Sequence, residues 1–295
     1  MSQVNAVSRL ARELLGSYCG ARFSLEELEG IGDADVAGQA LRVLQDQGAV
    51  RLRGEVIEDL NVPLLWQASG LGTVIALMQL PSSLRAQGMA TGLLEAFAQA
   101  GVPLRLGFMR GATRRVETLL EGRCDIIVTS KMTARLDLEQ GRPVTLIYAF
   151  GFRTYVEEYV VAFRDPNARE IVSGMRVALD PVSIDQTILT SYECQGKEVE
   201  FVDAPYVQSL AKLAADELDA VIWSRDELKE RGLGFNLQPL SDTSPRRVTG
   251  EDTAAVLVTS REKAELGRIL AQRIDLASVQ RIQEQILRGK KKPSY

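Results

Sequence analysis

Histidine is absent from all 295 residues of this chain. Without imidazole there is no Ser-His-Asp or Cys-His nucleophile, no His-based metal motif and no histidine proton shuttle, so most hydrolase chemistry is excluded. Cysteine is scarce: Cys19, Cys124 and Cys194 are odd in number, far apart and form no C-x-x-C pair, which argues against a disulfide framework and against structural zinc. Cys124 precedes an apolar run and reads as a buried structural thiol. Long hydrophobic runs are missing too. No window approaches the ~20 apolar residues that span a bilayer, and the most apolar stretches, 74–80 and 144–151, have the length of strands. Polar Ser2, Gln3 and Asn5, then Arg9, Arg12 and Glu13, interrupt the apolar segment a signal peptide needs. The expectation is a cytoplasmic protein with no membrane segment, no metal and no cofactor. With 45% hydrophobic and 25% charged residues and no low-complexity tract, the chain should fold.

What is present divides into a short and a long part. Val4, Val7, Leu10, Ala11, Leu14 and Leu15 recur at helical spacing until Gly16. Ser24-Leu25-Glu26-Glu27 has capping-box spacing and predicts a second helix to about Glu29. After the Gly30-Ile31-Gly32 turn, Asp33 can cap a third helix with Val36, Ala40, Leu41 and Leu44 on one face, closed by Gly48. Two strand-like stretches follow around Gly54. Three helices and a hairpin in residues 1–62 is the order of a winged helix-turn-helix; a small helical dimerisation cap is the competing reading. Asn61-Val62-Pro63, with Ser69-Gly70 and Gly72 behind, reads as an interdomain linker.

Residues 63–295 alternate strand and helix. Strands are expected at 74–79, 104–109 and 125–130 with helices at 83–99 and 113–120, then a second set at 176–179, 199–202 and 220–223 with helices at 183–192 and 207–215. Extended crossings at 155–164 and 253–259 flank this second set, and two helices from Glu262 to Leu287 close the chain. One lobe, about 154–253, is therefore inserted in another, about 72–153 and 254–295. The fold class is α/β, a winged helix followed by a two-lobed domain of the periplasmic-binding-protein kind. Such folds bind ligands between the lobes, at the carboxyl ends of the strands, and close by hinge motion.

The candidate ligand residues stand at those strand ends. Ser82, Ser83 and Arg85 follow the first strand, where hydroxyls and a guanidinium suit an anion, though either serine can equally cap a helix. Arg110 offers a bidentate clamp and Gly111 close backbone approach. Thr129, Ser130 and Lys131 end the third strand, with turn chemistry as the alternative. From the inserted lobe, Asp180, Ser183, Asp185 and Gln186 can hold an amine or hydroxyl, and Tyr206 and Trp223 are either aromatic walls or core.

At Met109-Arg110-Gly111-Ala112, with Leu80-Pro81-Ser82-Ser83 and Gly88-Met89-Ala90-Thr91-Gly92-Leu93 before it, the chain resembles the YhfZ family of bacterial regulators. Further resembling segments are Thr154–Glu158, Leu179-Asp180 with Asp185-Gln186, Asp219–Trp223, Glu251–Leu257 and the terminal Pro293-Ser294-Tyr295. The resemblance implies a GntR-like winged helix and a type 2 periplasmic-binding-like effector domain, hence a homodimeric regulator with a double-stranded DNA operator and a small-molecule effector. The departure lies in residues 33–39, where two acids and a glycine stand in place of the usual hydroxyls and arginine. Residues 1–62 hold six arginines against ten acids, a net charge opposite to that of most DNA readers. Gln39 as base reader, with Arg42, Arg51 and Arg53 on phosphates, would make the DNA face. Two rivals stay open: a lyase or transferase using Lys131, Asp180 or Asp185, and a regulator whose acidic head contacts protein.

Overall fold

The computed structural model describes residues 3–23, 34–241 and 250–295. The first helix, α1 (Gln3–Gly16), buries Ala6, Leu10, Ala11, Leu14 and Leu15 completely; of the face its periodicity predicts, Leu10, Ala11, Leu14 and Leu15 are buried, Val7 is half-buried and Val4 in the first turn is exposed. The expected helix at Ser24–Glu29, the turn after it and the Asp33 cap lie outside the described residues. Helix α2 (Ala34–Asp46) buries Ala37, Ala40 and Leu44. A left-handed Gly48 turns the chain into an antiparallel hairpin, β1 (Val50–Arg53) with β2 (Val56–Leu60), and Arg22 bridges to Val56 on its other side.

Residues 61–70 are not a linker. They form α3 (Val62–Ser69), with the Asn61 side chain accepting from the Leu64 amide at 3.2 Å, Pro63 in the first turn and a left-handed Gly70 at the end. The signals that suggest a loop are caps: Asn at an N-cap, Pro where its missing N–H costs nothing, Gly where the helix stops. Leu65 and Trp66 are buried, and α3 packs on α1.

Two five-stranded sheets follow. The first has the order β4-β3-β5-β12-β6, from β3 (Val74–Met78), β4 (Leu104–Phe108), β5 (Ile126–Ser130), β6 (Val144–Ala149) and β12 (Ala255–Ser260). The second has the order β11-β7-β10-β8-β9, from β7 (Tyr159–Phe163), β8 (Arg176–Leu179), β9 (Glu200–Asp203), β10 (Ala220–Ser224) and β11 (Asn236–Pro239). In each, three strands run parallel and the strand at the lobe crossing, β12 or β7, runs antiparallel between neighbours. Strands β5, β7, β10 and β12 are buried at every position, which explains their near-continuous apolar sequences.

Lobe one carries α4 (Leu84–Gln99), α5 (Ala112–Leu120), α6 (Lys131–Glu139), α10 (Ala264–Arg273) and α11 (Leu276–Leu287); lobe two carries α7 (Ile184–Glu193), α8 (Tyr206–Ala214) and α9 (Arg225–Glu230). Helices α4 and α11 lie so close that a Cβ on Gly92 would sit 2.7 Å from the Val279 carbonyl and one on Gly88 3.0 Å from Gln283. The small residues one turn apart admit the second helix. A single apolar cluster joins α1, α2, the hairpin and α3 to the first sheet, α4, α10 and α11, while lobe two has its own clusters on either side of its sheet. No described helix is long and apolar enough to cross a membrane.

Candidate functional site

Between the lobes lies a cavity of about 140 Å³, at the carboxyl ends of β3, β4, β8 and β10. Of the residues the sequence nominates, Ser82, Ser83, Arg110, Gly111, Ser183, Asp185, Gln186 and Tyr206 line it. Ser83 also caps α4, accepting from the Ala86 amide at 3.2 Å. Gly111 needs its identity twice over: its φ is +85°, and a Cβ would stand 2.8 Å from the Val182 carbonyl of the opposite lobe.

Several nominated residues do not line the cavity. Thr129 is interior to the first sheet and fully buried, because the strand places it opposite Val256. Ser130 starts α6, accepting from the Thr133 amide at 3.0 Å, and donates to Asp185 at 2.6 Å. Asp180 lies behind Arg110, pairing with its guanidinium and accepting from the Ser183 hydroxyl at 3.0 Å and the Tyr206 amide at 2.8 Å. Arg85 spends its charge across the seam on Asp226, Nε to Oδ2 2.8 Å. Ser130 and Asp180 thus hold lining residues in place. Lys131 pairs with Glu251 and is also off the cavity. Trp223 is core, with Tyr206 stacked on it at 3.6 Å between centroids.

The sequence missed several lining groups. Arg115 is 1% exposed and gives its donors to the carbonyls of Val128 (3.2 Å) and Met109 (2.9 Å) and to the Tyr155 hydroxyl (3.0 Å). Its signal was available, since it shares the α5 face of Ala112 and Leu119 by three- and four-residue spacing. Gln79, Tyr155, Tyr159, Ser224, Glu227 and Arg231 complete the polar lining. Glu227 belongs to α9, a six-residue helix too short for periodicity to reveal.

The electrostatics are set by burial. Asp185 is pushed up to about 6 by desolvation, against the hydroxyls of Ser130 and Thr133 and the nearby Arg115. Burial likewise raises Glu227, although Ser82 donates to it at 2.6 Å. Burial also acts on Asp180, but hydrogen bonds from Arg110, Tyr206 and Ser183 outweigh it and hold that carboxyl below the usual range. Among the described residues, no group of three acids or cysteines could hold a metal ion.

Contacts across the seam are mainly polar: Arg85 with Asp226, Ser82 with Glu227, the Leu84 amide with Glu230 (3.0 Å to each oxygen), Arg110 with Asp180, and Ser130 and Thr133 with Asp185. Met132 and Leu136 of α6 add an apolar contact to the lobe-two core.

In the N-terminal unit, Gln39 and Arg42 lie three residues apart on α2 and are both exposed. Arg51 and Arg53 are exposed on β1 but engaged: Arg51 meets Glu58 at 2.9 Å and Asp59 at 3.8 Å, and Arg53 also meets Glu58.

Residues 61–295 match the family model described as the YhfZ C-terminal domain. The uncharacterized protein YhfZ of Escherichia coli strain K12 is 32% identical over 98% of this chain and 96% of its own length. The crystal structure of YhfZ from Shigella flexneri has a TM-score of 0.65 at 31% identity, covering 80% of this chain and 98% of that one. The periplasmic aliphatic sulphonate binding protein SsuA from Escherichia coli, at 13% identity and a TM-score of 0.56 over 74% of this chain and 75% of its own, shares the two-lobed fold alone. On the family model and the full-length likeness together, this chain belongs to the YhfZ family.

Proposed function

We propose that the chain is a cytoplasmic, ligand-responsive transcription regulator in which the interlobe cleft senses a small polar or anionic metabolite and the N-terminal unit, a winged helix, binds operator DNA. The observation that carries this reading is the continuous apolar core between the N-terminal unit and lobe one, beside a seam to lobe two built largely of exchangeable polar contacts. A ligand in the cleft changes the lobe angle, and lobe one takes α1, α2 and the hairpin with it. In a homodimer, that moves two recognition helices relative to each other. A ligand shifts DNA affinity only by as much as it prefers one lobe arrangement.

The DNA face in this reading is α2, with Gln39 for a base edge and Arg42 for phosphate, while the hairpin arginines contribute less because Glu58 and Asp59 already neutralise them. That self-neutralised hairpin favours a second reading, a head that contacts protein. The cleft is a sensor here and not an active site. Fluorescence anisotropy of the purified protein on the DNA upstream of its gene, at two salt concentrations and beside a random duplex, separates the readings. Selective, salt-sensitive binding supports the regulator. Equal affinity for both duplexes, with and without metabolite extract, rejects DNA recognition.

A further inference from the structure

On the cavity wall, buried acceptors without a partner outnumber buried donors without one. Gln186 is 2% exposed, and its Nε2 donates to the Ile222 carbonyl at 3.2 Å. That bond fixes the amide, since a flip would set two oxygens against each other. Its Oε1 is left buried with no partner. Gln79 Oε1 is likewise without one, whereas Glu227 accepts Ser82 on Oε1 and turns Oε2 toward Arg231 at 3.7 Å and the Trp223 indole. Against these two acceptors stands one unsatisfied donor on the lining, Arg110 Nε. Buried polar atoms without partners are costly, so what enters the cavity must supply N–H groups to the acceptors and an oxygen to Arg110.

Charge narrows the choice. Asp185 and Glu227 both face the cavity, Arg110 is offset by Asp180, Arg231 lies 3.7 Å from Glu227, and Arg115 is tied to two carbonyls and a tyrosine hydroxyl. A wholly anionic ligand would set its oxygens against carboxylate and amide oxygens. A polyol supplies donors without the cation that two desolvated carboxylates favour. At about 10–15 Å³ per water, the 140 Å³ cavity holds roughly ten waters, and so a ligand of roughly ten heavy atoms.

Building on the reading of the cleft as a ligand site, we propose that it takes a small zwitterion, its protonated amine held by Asp185, Gln186 and Glu227 of lobe two and its acidic oxygen by Arg110 of lobe one. Such a ligand ties the two lobes together through opposite ends.

The test is thermal shift followed by calorimetry on the full chain, with matched pairs of amino acids, aminosulfonates and aminophosphonates of up to about ten heavy atoms, each beside the same skeleton without its amine. The expected result is that at least one amine member binds and its desamino partner binds at least a hundredfold more weakly. Glu227→Gln and Asp185→Asn, each checked for an unchanged circular dichroism spectrum, should weaken that amine member at least tenfold. Desamino members binding as tightly would leave the cleft a ligand site and overturn the amine assignment. No binding in either set would overturn both.

Discussion

Lobe one has two neighbours and meets them by different means. Toward the N-terminal unit it shares a core in which Leu10, Leu14, Leu15 and Leu65 pack with Phe97, Leu270 and Ile274, and Arg273 adds hydrogen bonds to the carbonyls of Leu14 and Leu15. Toward lobe two it offers mostly ions, hydroxyls and amides. Close-packed apolar contacts hold one arrangement, because any slide opens voids. Polar contacts can be exchanged for water or for a ligand at little net cost. The difference leads us to expect a weld at one boundary and a hinge at the other.

The strongest way to break that contrast is Leu14→Ala. Leu14 is fully buried in the shared core, so the change should cost about 2–5 kcal/mol, and calorimetry should show the N-terminal unit and lobe one melting in one transition. Separate melting of the head, with lobe one unaffected, would mean there is no weld.

Next in size is the buried carboxyl on the hinge side. Asp185 titrates near 6 when folded and about 3.8 unfolded, so the folded state binds the proton more tightly. Its contribution is therefore favourable at low pH and is lost as pH rises from about 4 to 6. Relative to wild type, Asp185→Asn should gain stability across that window, on the order of 3 kcal/mol, and stay level above it. Thermal melts of both proteins from pH 4 to 8 would show it, and parallel curves would rule it out.

A double-mutant cycle on Arg85 and Asp226 should give a coupling of about 1.5–3 kcal/mol, with scattering showing a wider lobe angle in Arg85→Ala. The smallest effect concerns DNA. Arg42→Ala should lower the salt slope of binding by about one, while Arg51→Ala, whose charge is already met by Glu58, should change it less. Equal effects would show that the hairpin pairs open on DNA.

The periodicity of α1, α2, α4, α5 and α11 and the apolar runs of the central strands were legible because each element buries one face or two, and burial writes itself into spacing. Short capped helices were not. Asn61 and Pro63 are the same letters in a loop and in the first turn of α3; α6 begins at Lys131, directly after β5 ends at Ser130; α9 spans under two turns. At the site, strand ends pointed to Ser82, Arg110, Asp185 and Gln186, which do line the cavity. Strand ends say nothing of where a side chain turns, and so Thr129 went to the core, Arg85 to Asp226 and Asp180 behind Arg110.

The sequence by itself determined that there is no histidine chemistry, that two strand-helix series follow a helical head, and which strand ends crowd together. Local propensity and the period of burial suffice for that. Only the tertiary structure decided that α3 welds the head to lobe one, that Arg115 and Glu227 belong to the cavity, and that Gln186 keeps an unpaired oxygen there. Those outcomes depend on which groups meet across a hundred or more residues of chain, as Ser82 and Glu227 do, and no local spacing records such a meeting.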